Sequence, residues 1–357
     1  MKSLMLISNR SPGEEGGRAE KIDTQISLLN DLGWDVTVAN IEPKITNIPL
    51  AIFRCWRHAR KNDVDAYLSI SNPPHLHLIG LSLHFLLSVP WVAYFRDPLV
   101  TVPDVETDTF SYKIRNIIET TVVRHADKVV WMDGIQVQKE YFTETYPDVP
   151  EDQFHELPYL GFEREKFENA ESVEYDEFTI TYAGSFYEGW IEPYNLLDGI
   201  KKHVDEYGKD ICVQFYGDWN EDYQEAVENR RLDGVVETHD FVPHDEIIPV
   251  LKGSDMVVHI GGDDPRNKLS IPSKIWDYIG SCTPILAIAD SSFEVAKFIE
   301  GEGLGRCVSP NDSKGVSDYI DRVRNKKINI DMTDVTFQKF SRQRNIEELA
   351  NVLDSLE

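Results

Sequence analysis

The chain has 357 residues, 41% of them hydrophobic: enough apolar material to fold, and too much chain for one ordinary core. Acidic residues outnumber basic ones 62 to 36, and the formal charge of −26 excludes a general affinity for nucleic acid. The excess is spread along the sequence rather than held in a tail, so it describes a hydrated acidic surface, as in halophilic proteins.

Cys55, Cys212, Cys282 and Cys307 stand far apart without a C-x-x-C pair, the pattern of free thiols in a reducing cytoplasm. The start, Ser3-Leu4-Met5-Leu6-Ile7-Ser8, is too short an apolar run for a signal peptide, so a cytoplasmic protein is expected. The longest apolar run, 78–89, contains His84 and falls short of the roughly 20 residues a membrane-spanning helix needs.

Strand-like runs alternate with amphipathic helical stretches. In the first half, strands are expected at 4–8, 35–41, 66–71, 91–95 and 128–132, with Ile22, Ile26 and Leu29 marking the apolar face of a helix over 18–32. The pattern breaks over 147–175, where Pro150, Pro158 and a run of glutamates read as an interdomain connection. A second series follows at 179–183, 211–216, 235–242, 256–260, 284–289 and 306–308. The segment 337–356 reads as one amphipathic helix packing back on the first domain. The expected fold is therefore α/β, with two Rossmann-like doubly wound domains facing across a cleft: 1–165, 166–330, and a returning C-terminal helix in 331–357.

The most informative stretch is Gly261-Gly262-Asp263-Asp264-Pro265-Arg266-Asn267-Lys268-Leu269-Ser270-Ile271-Pro272-Ser273-Lys274-Ile275-Trp276-Asp277-Tyr278. It leaves a strand and enters a short helix ending near Gly280. Ser273 is a suitable N-cap. Lys274 then falls in the first turn, where the helix dipole disfavours a cation unless an anion shares the site. Asp277, three residues on, can accept from sugar hydroxyls. The alternative is an ordinary loop and helix with solvated charges.

Further candidates sit at the ends of other strands. Gly16 and Gly17 follow the first strand in a loop that is either flexible or ligand-binding, although it is not G-x-G-x-x-G. Arg96 and Asp97 follow the fourth, as a structural pair or as part of a site. Gly184 and Ser185, Gly217, and Val242 end strands of the second series and would line one rim of its sheet. Asp63-Val64-Asp65 precedes a strand and so lies at the wrong end for a metal site. His75 and His77 lack a third ligand nearby in sequence. A basic stripe of Arg54, Arg57, His58 and Lys61 shares one helical face, interleaved with Ile52, Phe53 and Trp56. It is either a charged surface or a contact for anionic membrane lipid.

With these pieces placed, the sequence resembles the GT-B fold retaining glycosyltransferases of group 1 (glycosyl transferase family 4-like). The carriers are the Gly16-Gly17 loop, 91–98, 126–130, 179–185 and 271–278 with 284–287, in that order along nearly the whole chain. The resemblance implies that the second domain holds a nucleotide diphosphate sugar and the first an acceptor. The family places two glutamates eight positions apart at the donor site. Here Asp277 matches the second, for the ribose hydroxyls, and Leu269 stands at the first. The family's Arg and Lys for the diphosphate are missing from 186–193, and Arg266, Lys268 and Lys274 take their place. Arg96 corresponds to the family's histidine after the fourth strand.

The function so implied is sugar transfer from a nucleotide diphosphate sugar to a hydroxyl of a lipid-linked or polysaccharide acceptor, with retention. Lys274, Arg266, Lys268, Arg96 and Asp97 would serve catalysis. Gly16, Gly17, Gly184, Ser185, Gly217, Val242, Ser273 and Asp277 would hold the donor. Neither a metal nor a cofactor beyond that co-substrate is expected. Arg54, Arg57 and Lys61 would provide peripheral contact with the inner membrane face. Two alternatives stand beside it: a nucleotide-sugar 2-epimerase of the same architecture, and a non-catalytic nucleotide-sugar-binding subunit.

Overall fold

The structure, a computed structural model, describes residues 1–9, 17–41, 47–71, 73–100, 109–132, 136–326 and 338–356; of 17–21 and 136–140 the backbone alone is considered. The chain divides into two compact units. Unit one is Met1–Leu160 with Arg342–Glu357, and unit two is Gly161–Ser341. The sequence placed these boundaries at 165 and 330.

Unit one holds six parallel strands: β1 (Lys2–Ser8), β2 (Trp34–Asn40), β3 (Ala66–Ile70), β4 (Trp91–Phe95), β5 (Lys128–Met132) and β6 (Phe154–Leu157). Their order is β2-β1-β3-β4-β5-β6. β3 and β4 are buried at every position, as expected of a sheet covered on both faces. One face carries a core of Met5, Tyr67, Trp91, Phe95 and Phe142. The other is closed by the C-terminal helix Arg342–Asp354, whose Ile346, Leu349 and Leu353 pack with Leu4, Leu6 and Val92. That helix belongs to unit one.

Two expectations for this half are corrected. β6 was not foreseen: 147–175 contains a strand and the helix Arg164–Asn169, because β6 is a four-residue edge strand flanked by prolines. The C-terminal segment is not one helix either, since Ser341 leaves the helical path to bridge Phe162. Phe162 N–H donates to the Phe340 carbonyl at 3.1 Å, which ties both residues into unit two.

His77 is a core residue rather than a ligand. Trp91 Nε1 donates to Ser69 Oγ at 2.9 Å, and that oxygen lies 2.8 Å from His77 Nδ1. Burial pushes His77 down to about 3, so the ring is neutral. Asp65 accepts from the Ser3 amide at 2.7 Å, fixing a strand start.

Unit two repeats the design with β7 (Phe178–Ala183), β8 (Ile211–Tyr216), β9 (Val236–His239), β10 (Met256–Gly262), β11 (Ile285–Ala289) and β12 (Gly305–Val308). The order is β12-β11-β10-β7-β8-β9, all parallel. Numbered within the unit this is 3-2-1-4-5-6, the dinucleotide-fold order, and it reverses between β7 and β10. Ligands of such sheets bind outside the strand carboxyl ends at that reversal, which makes the ends of β7 and β10 the place to look.

Candidate functional site

Two glycines shape the ends of β7 and β8. Gly184 has φ +137 and its amide donates to the Tyr216 carbonyl at 2.9 Å. Gly217 has φ +154 and sits so close beneath that a Cβ there would lie 2.2 Å from the Gly184 carbonyl oxygen. Both φ values lie where residues other than glycine are strained, and at Gly217 a side chain would also collide with backbone. A Cβ on Gly184 would also come within 2.7 Å of Lys274 Nζ. The missing side chain leaves room for the lysine head at the end of β7.

Lys274 opens the helix Lys274–Gly280. Tyr278 anchors that helix across the reversal. It accepts from the Ala183 amide at 3.2 Å and donates to the Val258 carbonyl at 3.0 Å, joining β7 to β10. One turn back, the Lys274 ammonium rests 4.1 Å from the centre of the Tyr182 ring. Tyr182 is itself fixed: its hydroxyl donates to the Ser185 carbonyl at 2.8 Å and its ring stacks on Phe186 at 4.8 Å. Burial pulls the Lys274 pKa down to about 7, and Asp218 acts in the opposite direction. Asp218 accepts from the Phe186 amide at 2.8 Å, so its carboxylate is held by the loop after β7. An ammonium stripped of water in this way gains more from an arriving anion than a hydrated surface lysine does.

Behind Lys274, on β10, His259 is 2% exposed and its Nδ1 has no partner among the described residues. Burial first, and the lysine second, push it down to about 3.

The other predicted residues of unit two fall around this centre. Asp277 lies on the lysine's helix, and its Oδ1 is 3.0 Å from His244 Nε2, so the carboxylate already has a partner. Val242 lies between β9 and the helix His244–Gly253. The neighbouring Phe241 is 59% exposed, and its ring would lie 3.5 Å from a Cβ on Gly217. Arg266 stacks 3.9 Å over the Trp190 ring, and its guanidinium holds Asp264 at 2.8 and 2.7 Å. The pairing lowers Asp264 to about 2. Lys268 is exposed, and its carbonyl accepts from the Glu294 amide at 2.9 Å.

The expected cap is corrected. Ser273 has helical φ and ψ of −60 and −26, and its side chain makes no capping bond. The first-turn amides of Ile275 and Trp276 donate instead to the Pro272 and Ser273 carbonyls, at 3.0 and 3.2 Å. A Pro-Ser approach already in helical geometry leaves the hydroxyl no cap to make. Positive charge at this helix start comes from Lys274.

In unit one, Arg96 and Asp97 follow β4, and the Arg96 amide donates to Ser71 Oγ at 2.8 Å. Burial raises the Asp97 carboxyl, with Arg96 opposing it. The next turn is pinned by Glu119, 0% exposed, which accepts from the Leu99 amide and from the Tyr141 and Tyr146 hydroxyls. Gly17 begins the helix Gly17–Asp31, while Gly16 lies outside the described residues. Arg54, Arg57 and Lys61 are exposed on the helix Ile48–Lys61, beside Leu50 at 50% and Phe53 at 54% exposure.

The structure thus brings Lys274, Gly184, Ser185 and Gly217 together and adds Tyr182, Asp218, Tyr278, His244 and His259, which sequence reading missed. Tyr278 and Asp218 carried a signal. One ends the Ile271–Tyr278 motif and the other follows Gly217. Among the described residues, no three His, Cys, Asp or Glu stand grouped to hold a metal ion. No helix among them is long and apolar enough to cross a membrane.

Neither a family model nor a curated protein matches the sequence. Solved structures do. A glycosyltransferase from Rickettsia africae ESF-5 superposes with a TM-score of 0.73 at 15% identity, over 99% of this chain and 98% of that one. The lipopolysaccharide outer core galactosyltransferase WaaB, in apo form, gives 0.66 at 11% identity, over 99% of both chains. UDP-GlcNAc 2-epimerase from Methanocaldococcus jannaschii gives 0.61 at 10% identity, also over 99% of both. These likenesses establish the fold: the chain has the GT-B architecture of two Rossmann-like α/β units. It shares that fold with sugar transferases and with an epimerase.

Proposed function

We propose that the chain is a glycosyltransferase that takes a sugar from a nucleotide diphosphate sugar and passes it to a hydroxyl of a lipid-linked or polysaccharide acceptor. One observation carries the reading: the Lys274 ammonium, partly desolvated, stands at the strand reversal of unit two beneath a glycine that leaves it room. A diphosphate laid across Gly184 and Gly217 meets this charge. As the bond from sugar to diphosphate breaks, negative charge grows on the leaving oxygens. A cation fixed beforehand stabilises that charge more in the transition state than in the ground state. Lys274 fills this role in place of a metal ion. Lys268, and Arg266 once it exchanges Asp264 for phosphate, add charge from the loop after β10. Asp277, oriented by His244, takes the ribose hydroxyls. The acceptor attacks on the face the diphosphate leaves, so configuration is retained.

The epimerase reading has its own support in the likeness to the Methanocaldococcus enzyme. Epimerisation needs acid and base groups around the sugar, whereas Lys274 addresses a leaving group. A non-catalytic subunit that binds the donor is the third reading.

The test is a panel of nucleotide diphosphate sugars, screened by thermal shift and followed by NMR of the products. A stabilising donor consumed only when a hydroxyl acceptor is present supports transfer. Interconversion of the sugar without acceptor assigns the epimerase, and stabilisation without turnover assigns the subunit. In the transferase, Lys274→Ala lowers turnover by roughly 100-fold, the loss typical of one transition-state donor. Unchanged turnover in that variant removes the lysine from the mechanism.

A further inference from the structure

The outer edge of the second sheet carries a second cationic feature, two strands away from β10. β12 is the edge strand, and the helix Ser313–Arg324 packs beside it with Val316, Tyr319 and Ile320 buried. Between strand and helix lies a cavity of about 340 Å³ lined by Arg306, Arg322, Tyr319, Lys314, Asp312 and Asp318. That volume is at the small end of the range for small-molecule sites.

The acids in this lining are already engaged. Asp312 Oδ1 accepts from the Gly315 amide at 2.8 Å, and Asp318 is paired with Lys314 at 2.9 Å. Arg306 and Arg322 are different: among the described residues neither guanidinium has a hydrogen-bond or ion-pair partner. Arg306 and Val308 alternate on β12 and so share a face. Val308 packs with Val316 and Tyr319, which puts Arg306 on the helix side.

The third group is Tyr319. It is 2% exposed, and its hydroxyl has no partner among the described residues. A buried hydroxyl left unpaired costs free energy and is seldom kept without a ligand or water to satisfy it. Both guanidiniums act on this hydroxyl, pulling its pKa down against the burial that pushes it up to about 12. In a chain of charge −26, two unpaired arginines converging on an unsatisfied phenol are not explained by the fold.

The geometry points to a second ligand site here, for the phosphate group of a small molecule or for free phosphate. The arginines grip its oxygens and Tyr319 donates a hydrogen bond. Two planar guanidiniums suit a tetrahedral oxyanion because each presents paired donors. The site is separate from Lys274 and does not depend on the proposed reaction.

The experiment is calorimetric titration with inorganic phosphate and with glycerol 3-phosphate, in chloride buffer, on the Lys274→Ala chain, so that binding at the rim does not contribute. One saturable site is expected. In Arg306→Gln/Arg322→Gln on that background it weakens by at least about tenfold, the loss that follows removal of charge-assisted hydrogen bonds. Tyr319→Phe, which keeps the packing, weakens it severalfold. Both arginines are exposed, so unchanged melting in the absence of phosphate is the check that the variants are folded. Tighter binding of glycerol 3-phosphate assigns the site to a phosphomonoester, and tighter binding of inorganic phosphate assigns it to the free ion. No saturable binding in the Lys274→Ala chain, or equal affinity with and without the two arginines, overturns the proposal.

Discussion

The Lys274 pKa of about 7 converts the site's geometry into a pH dependence that a titration can read. Only the protonated lysine attracts diphosphate. In the free protein the protonated share falls about fivefold from pH 7 to pH 8 and close to tenfold for each unit beyond. With the ligand bound, the anion should return the lysine towards its ordinary pKa of about 10.4. The dissociation constant of a nucleoside diphosphate therefore rises with pH between these limits, because binding takes up a proton. From pH 7 to pH 9 the rise is about fiftyfold for a single group of this kind. The phosphate's own second ionisation, near pH 6, is complete in this window and adds nothing. The assay is isothermal titration calorimetry with UDP at half-unit steps from pH 7 to pH 9, on the parent and on Lys274→Met. The parent should show the slope and the variant should bind weakly and without one. A flat parent profile, or the same slope in Lys274→Met, refutes the reasoning. Folding stability responds in the opposite sense to binding: a lysine lowered in the fold leaves the unfolded chain binding more protons between about pH 7 and 10.4, so this group makes stability rise with pH there while nucleotide binding weakens.

Four other outcomes follow from the structure. Gly217→Ala places a methyl 2.2 Å from the Gly184 carbonyl at φ +154; it should cost about 1–3 kcal/mol for the backbone conformation alone and abolish nucleotide-induced stabilisation, read by melting with and without UDP. Asp277→Asn, which leaves His244 without a carboxylate at 3.0 Å, should weaken nucleotide binding; calorimetry giving the parent affinity removes Asp277 from the site. Glu119→Ala strands the Leu99 amide and two tyrosine hydroxyls and should cost at least about 3 kcal/mol in urea unfolding. Replacing Arg54, Arg57 and Lys61 by alanine should lower flotation with anionic liposomes by roughly 100-fold if each contributes about 1 kcal/mol at a lipid surface, and equal flotation ends the membrane reading.

Much of the fold was legible because buried parallel strands write themselves as short apolar runs. Leu4-Met5-Leu6-Ile7 and Met256-Val257-Val258-His259-Ile260 could hardly be anything else. Phe154-His155-Glu156-Leu157 escaped because an edge strand needs no such run, and only one of its four residues is buried. The site was legible where backbone demands a residue type, as at Gly184 and Gly217, and where a charge stands out of place, as at Lys274. What surrounds that lysine was not. Tyr182, Asp218 and His259 lie 92, 56 and 15 residues before it in sequence. They meet it because the sheet order reverses, which no local pattern encodes. Ser273 misled for the converse reason: its residue type suits a cap, but the chain enters the helix at a φ and ψ that leave nothing to cap.

The most direct measurement is a crystal structure of the chain with UDP bound. A diphosphate oxygen is expected within about 3 Å of Lys274 Nζ, with the diphosphate lying against Gly184 and Gly217. A diphosphate held elsewhere, with the ammonium still resting on the Tyr182 ring, would contradict this placement.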